Sequence, residues 1–195
     1  MKKINVFFFA LLMSGISFSV NAQEPEADEA IKPALLVIDV QKAFIGMMDQ
    51  SDIDTPVEYI NAYIGAFKQL GYPVIYVYHV DSRYSALGSE GYQFIDKIPV
   101  EKNEIIVNKT YGNAFNKTDL DKILKESGTN TLFLCGLSAS GCVFATLVGG
   151  HDLDYKTYIL KKAVMSQDKE VTKMIEEITE AINSTAMNLI LNSIN

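Results

Sequence analysis

The chain has 195 residues, 48% of them hydrophobic and 10% aromatic, with 17 basic against 24 acidic side chains. That is material for one well-buried core and little for a second. The formal charge of −7 repels phosphate backbones and anionic lipid, which argues against a nucleic-acid or membrane-surface partner.

The first residues have the pattern of a secretory signal: Lys2 and Lys3, an apolar run from Val6 to Met13, then small residues and Val20-Asn21-Ala22. The run is shorter than the about 20 apolar residues a spanning helix needs, so cleavage after Ala22 and an exported product, periplasmic or secreted, are expected. No cysteine near that point can carry a lipid anchor. Removal of residues 1–22 leaves fifteen basic against twenty-four acidic side chains, a formal charge of −9. Residues 23–32 form an acidic leader with four acids between Glu24 and Glu29, and residues 33–195 the domain.

Five short apolar runs predict strands: Ala34 to Ile38, Val74 to Tyr78, Ile105 to Val107, Thr131 to Cys135 and Thr157 to Leu160. They are continuous rather than alternating, as in parallel strands covered on both faces. Thr55 and Pro56 read as the cap and first residue of a helix whose stripe, Tyr59, Ile60, Tyr63, Ile64, Phe67 and Leu70, stops at Gly71. Between the second and third strands lies an irregular stretch, Asp81 to Val100, of the length of a functional lid. Thr118 caps a helix carrying Leu120, Ile123 and Leu124 and ending at Gly128. Lys169 to Ile182 predicts a covering helix with Val171, Ile175, Ile178 and Ile182 on one face. The alternation specifies an α/β fold: a three-layer sandwich with a mainly parallel central sheet flanked by helices, Rossmann-like in its crossovers.

In such sheets the ligand crevice lies beyond the carboxyl ends of the strands. Asp39, Lys109 and Cys142 each follow one of those ends. A carboxylate closing the run Leu35 to Ile38 is hard to bury unless it is paired or used. Cys142 follows the small-residue run Gly136 to Gly141 and opens a predicted helix, where the helix dipole and Lys109 are expected to lower its pKa. With Asp39 moving the thiol proton, the three make an activated nucleophile. The residues leave other readings open: an inert Asp39–Lys109 pair, Cys142 as a small core residue, or a Cys135–Cys142 disulfide. Against the disulfide, Cys135 sits inside a strand and Cys142 lies seven residues on, past a turn.

Four segments carry a resemblance: Leu36-Val37-Ile38-Asp39-Val40-Gln41 with Phe44; Gly88-Ser89-Glu90-Gly91; Lys109 before Tyr111 and Ala114-Phe115; and Gly136-Leu137 with Cys142-Val143 and Ala145-Thr146. In this order and spacing the chain from Ala34 to about Met165 resembles the isochorismatase-like cysteine hydrolases, the superfamily of nicotinamidase and N-carbamoylsarcosine amidase. The resemblance implies Asp39, Lys109 and Cys142 as catalytic triad, the N–H groups of Ser138 and Cys142 as oxyanion hole, and a cis Leu137–Ser138 peptide. It implies cleavage of a small amide-like C–N bond through a Cys142 thioester, with no cofactor and no metal, in a chain that is commonly a homo-oligomer. Nicotinamidases often hold a metal on an Asp-x-His pair and a further histidine, a set not found here, where His79 and His151 are the only histidines. Enzymes that cleave the isochorismate enol ether lack the cysteine, so Cys142 points away from that reaction.

By position, Phe44, Tyr111 and Phe115 are candidates for apolar substrate walls or for plain core, and Arg83 for an anionic substrate group if the lid closes. His79, at the end of the second strand, is a candidate to face the site or to serve as a structural hydrogen-bonding group. The leading expectation is an exported amide-cleaving cysteine hydrolase. Its rivals are a same-fold enzyme hydrolysing an ether or ester without a covalent step, and a catalytically silent binding or assembly protein.

Overall fold

The computed structural model describes residues 30–46 and 48–194; the predicted signal and most of the acidic leader lie outside them. Five strands form one parallel sheet among these residues: β1 (Pro33–Ile38), β2 (Val74–His79), β3 (Ile105–Lys109), β4 (Thr131–Leu137) and β5 (Lys156–Met165), in spatial order β3-β2-β1-β4-β5. Successive side chains alternate between two cores. Leu35 and Val37 of β1 join the layer built by Ile60, Tyr63 and Phe67, whereas Ala34, Leu36 and Ile38 join the layer of Leu120, Leu124, Val143 and Leu147. Helices α1 (Lys42–Ile45), α2 (Gln50–Gln69) and α6 (Ser184–Ser193) belong to the first layer, and α3 (Leu120–Glu126), α4 (Phe144–His151) and α5 (Lys169–Ile178) to the second.

Several elements depart from the sequence reading for local reasons. Helix α2 starts at Gln50, so Pro56 lies inside it. At the other end Gly71, at φ 75°, makes the expected stop: its N–H reaches Lys68 O and that of Tyr72 reaches Phe67 O. β3 is an edge strand, and Ile105 and Ile106 are exposed rather than covered on both faces. β5 runs on to Met165 through a bulge between Leu134 and Gly136 of its partner, where Lys162 takes φ 65°.

The predicted helix ending at Ile182 stops at Ile178. Glu180 adopts φ 50°, the Ala181 N–H bonds Glu176 O, and Ile182 pairs with Leu160 of β5. Ile178 is therefore exposed instead of packed. A further helix, α6, follows; Asn183 caps it through Ala186 N, and it buries Met187 and Leu191.

The stretch from Asp81 to Val100 is packed down. Phe94 and Ile98 are buried, Tyr92 stacks on Tyr78 with ring centroids 4.7 Å apart, and the Lys42 and Ala43 N–H groups donate to Gln93 and Gly91 carbonyls. Gly91 is required there, since a Cβ would meet Tyr84 O at 2.3 Å.

Candidate active site

Three strand ends deliver the predicted chemistry to one place. Asp39 leaves β1 with φ 52°, a left-handed conformation uncommon outside glycine. His79 and Lys109 are register partners at the ends of β2 and β3, so their side chains stand side by side. β4 ends in a cis Leu137–Ser138 peptide, and Ala139–Val143 then form a π-helical turn running directly into α4. Cys142 sits on that turn. Gly136, at φ 113°, lets β4 press against β1; a Cβ would meet Ile38 O at 2.1 Å.

The Lys109 ammonium is fully buried and donates to Asp39 Oδ2 at 2.7 Å. It also lies 3.1 Å from His79 Nδ1. Burial and the Lys109 charge hold the His79 pKa below its ordinary 6.5, so the ring is neutral and Nδ1 accepts from Nζ. Asp39 Oδ1 is buried without a conventional hydrogen-bond partner. A carboxylate oxygen of Asp39, a His79 ring nitrogen and Cys142 Sγ lie within 4.8 Å of one another.

Burial raises the Asp39 pKa above its ordinary 3.8, against the opposing pull of Lys109 and the thiol. Burial, and then the Asp39 charge, push Cys142 up to about 11, with Lys109 pulling the other way. This reverses the lowered thiol pKa expected from the helix dipole. Burial thus disfavours the charged form of both the Cys142 thiol and the Asp39 carboxyl. Asp39, His79 and Cys142 offer three metal-ligand types, but the cation already seated between Asp39 and His79 is the Lys109 ammonium, which a second cation would have to displace.

Both cysteines are free thiols. The Cys135 thiol is wholly buried in the first core layer, 3.5 Å from Leu36 O, and Cys142 packs with the second, so the sheet separates them and the disulfide reading fails.

A cavity of about 420 Å³ opens over Cys142, lined by Asp39, Phe44, His79, Leu137, Ser138 and Ser140 on one side and by Ser166, Gln167, Asp168 and Val171 on the other. Of the predicted wall residues, Phe44 and His79 line it, with their rings edge to face at 5.9 Å. Tyr111, Phe115 and Arg83 do not. The Tyr111 hydroxyl accepts from Lys117 Nζ at the surface, Phe115 stacks on Tyr155, and the Arg83 guanidinium lies over the Tyr84 ring. No residue between Asp81 and Val100 lines the cavity, so that stretch is not its lid in this conformation.

Sequence reasoning missed the wall from Ser166 to Val171. The signal was available, since these residues follow the carboxyl end of β5, but Lys161 and Lys162 interrupt the apolar run and hid the end of the strand. It also missed the role of Gln41, which is fully buried: Oε1 accepts the His79 N–H at 2.7 Å, while Nε2 donates to the carbonyls of His79 and Tyr92. Gln41 thus ties the ends of β1 and β2 to the long connection.

A parallel α/β sheet with carboxylate, ammonium and thiol at its carboxyl edge defines an enzyme-like class of domain. Residues 33–186 match the isochorismatase domain, and the chain belongs to the isochorismatase family. It is 28% identical over 137 residues to an uncharacterized isochorismatase family protein, YrdC, of Bacillus subtilis, covering 68% of this chain and 73% of that one. It is 25% identical over 179 residues to the ureidoacrylate amidohydrolase RutB of Yersinia enterocolitica, covering 72% and 78% of the two chains. Among solved structures, N-carbamoylsarcosine amidase from Thermoplasma acidophilum superposes with a TM-score of 0.69 at 27% identity, covering 78% of this chain and 95% of that one.

Proposed function

We propose that this protein is a cysteine hydrolase that cleaves a small amide or related C–N bond, with Cys142 as nucleophile. The observation that carries the reading is the buried Asp39–Lys109 pair set against the thiol at the mouth of a cavity of small-molecule size. Amide-cleaving relatives of the same family support it.

With the thiol pKa near 11, a free thiolate is scarce, so the proton leaves as the new bond forms. Asp39 takes the Sγ–H proton while Sγ adds to the amide carbonyl. In this reading the N–H groups of Ser138 and Cys142 hold the resulting oxyanion. Asp39 then gives its proton to the nitrogen, the C–N bond breaks, and ammonia or an amine leaves a Cys142 thioester. Water adds to that carbonyl as Asp39 takes a proton from it, the C–S bond breaks, and Asp39 returns the proton to sulfur. The products are a carboxylic acid and the thiol enzyme. Lys109 opposes the effect of burial on Asp39 and so favours the ionised form that takes up each proton, and His79 Nδ1 fixes Lys109.

The N-terminal pattern of Lys2, Lys3 and the run to Met13 supports export with cleavage after Ala22. Among the described residues no helix is long and apolar enough to cross a membrane. The test of the catalytic reading is ammonia release from a panel of small primary amides. Release is expected from the unaltered chain and its loss in Cys142→Ala and Asp39→Asn; full release by Cys142→Ala would favour hydrolysis without a covalent step.

A further inference from the structure

We infer that the cavity selects small amides without a negative charge, and that Asp168 at its rim is the specificity-determining residue. The inference rests on the cysteine-nucleophile reading and adds the substrate class to it.

Among the described residues, the cations of the site and of the elements beside it have partners outside the cavity: Lys173 pairs with Glu170 and Lys162 lies over the Tyr59 ring. Lys109 is bound to Asp39. Lys169 pairs with Asp52 at 2.5 Å, and Lys42 with Asp96 at 2.9 Å. Arg83 lies over Tyr84, and no lysine or arginine is among the lining residues. The lining carboxylates are Asp39, paired with Lys109, and the exposed Asp168, whose Oδ1 accepts, among the described residues, the Glu170 N–H that it caps at the start of α5. A full negative charge outweighs the partial positive charge of a helix N-terminus, and Glu170 stands in the same first turn.

The inner wall shows where a neutral ligand would bind. Ser166 is 6% exposed and lines the cavity, yet among the described residues its Oγ has no hydrogen-bond partner. Buried hydroxyls are ordinarily satisfied, and a side-chain rotation at Ser166 would bring this one to a neutral hydrogen-bonding group in the cavity. Among the described residues His79 Nε2 makes no hydrogen bond either, since the ring contact to Lys109 is through Nδ1. With Phe44, Leu137 and Val171 supplying apolar surface, the fitting ligand is a compact molecule with an apolar body and neutral hydrogen-bonding groups. Ureidoacrylate, named in the relative from Yersinia enterocolitica, carries a carboxylate for which this cavity offers no free cation.

Two alkylating reagents of nearly equal size isolate the charge: iodoacetamide, which is neutral, and iodoacetate, which is an anion. Their rates at Cys142 in the folded chain, located by peptide mapping at low salt and each divided by the rate at free glutathione, give a normalised preference. We expect a preference of about tenfold for iodoacetamide, the size of one charge acting across several ångströms of partly aqueous space. It should fall at least about threefold in Asp168→Asn, which keeps the helix cap. Equal normalised rates, a preference for iodoacetate, or a preference unchanged in Asp168→Asn would overturn the inference. Selective labelling by a chain that releases ammonia from no amide would overturn the amide reading and leave the charge selection standing. Labelling by neither reagent would overturn both.

Discussion

Asp39 lies almost entirely out of water, held at 2.7 Å by an ammonium that is equally buried. Its pKa is raised because burial outweighs Lys109. The native state therefore takes up a proton on Asp39 more readily than the unfolded chain does, so this group costs stability at neutral pH and the cost is relieved on acidification. In the proposed mechanism the same shift sets the pH dependence of the reaction. As a base, Asp39 works only when ionised, so kcat/KM should fall on acidification with a limb above the ordinary carboxylate value of 3.8. His79, held below 6.5, stays neutral through the upper part of that range. Lys109→Met removes the charge that opposes burial, so the acid limb should move to higher pH and kcat/KM should drop by about a hundredfold or more. A limb that stayed in place would separate Lys109 from Asp39 ionisation. Unfolding of that variant in urea should show a loss of about 3 kcal/mol, the usual result of leaving a buried charge without its partner.

The positions of Asp39, Lys109 and Cys142 were legible because strand ends are written in the sequence as apolar runs stopping at a charged or small residue. The far wall was hidden for the converse reason. β5 carries two lysines mid-strand, and the bulge that turns them outward is a register feature no local pattern announces. The end of α5 was hidden similarly, because Glu180 takes the left-handed position that glycine usually marks. Buried polar ties were hidden too, since a threonine or glutamine reads alike whether or not it finds a partner. Thr146 illustrates this. It is fully buried on α4, and its hydroxyl accepts the Ala114 N–H at 3.0 Å, fastening the segment after Lys109 to the helix that follows Cys142. Thr146→Val keeps the shape and orphans that N–H, so a loss of about 1–3 kcal/mol is expected in the urea midpoint. An unchanged midpoint would mean that the segment is held by packing alone.

Across the whole molecule the sheet separates the two thiols, one sealed in the first core layer and one open to the cavity. Burial pushes the Cys135 thiol far above its ordinary range. Without reductant, the denatured chain should therefore take up two alkyl groups and the folded chain one, at Cys142; no uptake before reduction would restore the disulfide. The negative charge of the chain and the anionic rim at Asp168 act in the same direction, against anionic ligands. All of this rests on Cys142 acting as a covalent nucleophile. The most direct test is to acid-quench the protein during turnover of an uncharged primary amide and weigh it intact. The account predicts a species heavier by the acyl group, mapped to Cys142, appearing before the steady state and absent in Cys142→Ala. Steady ammonia release with no such adduct, persisting at the same rate in Cys142→Ala, would contradict it.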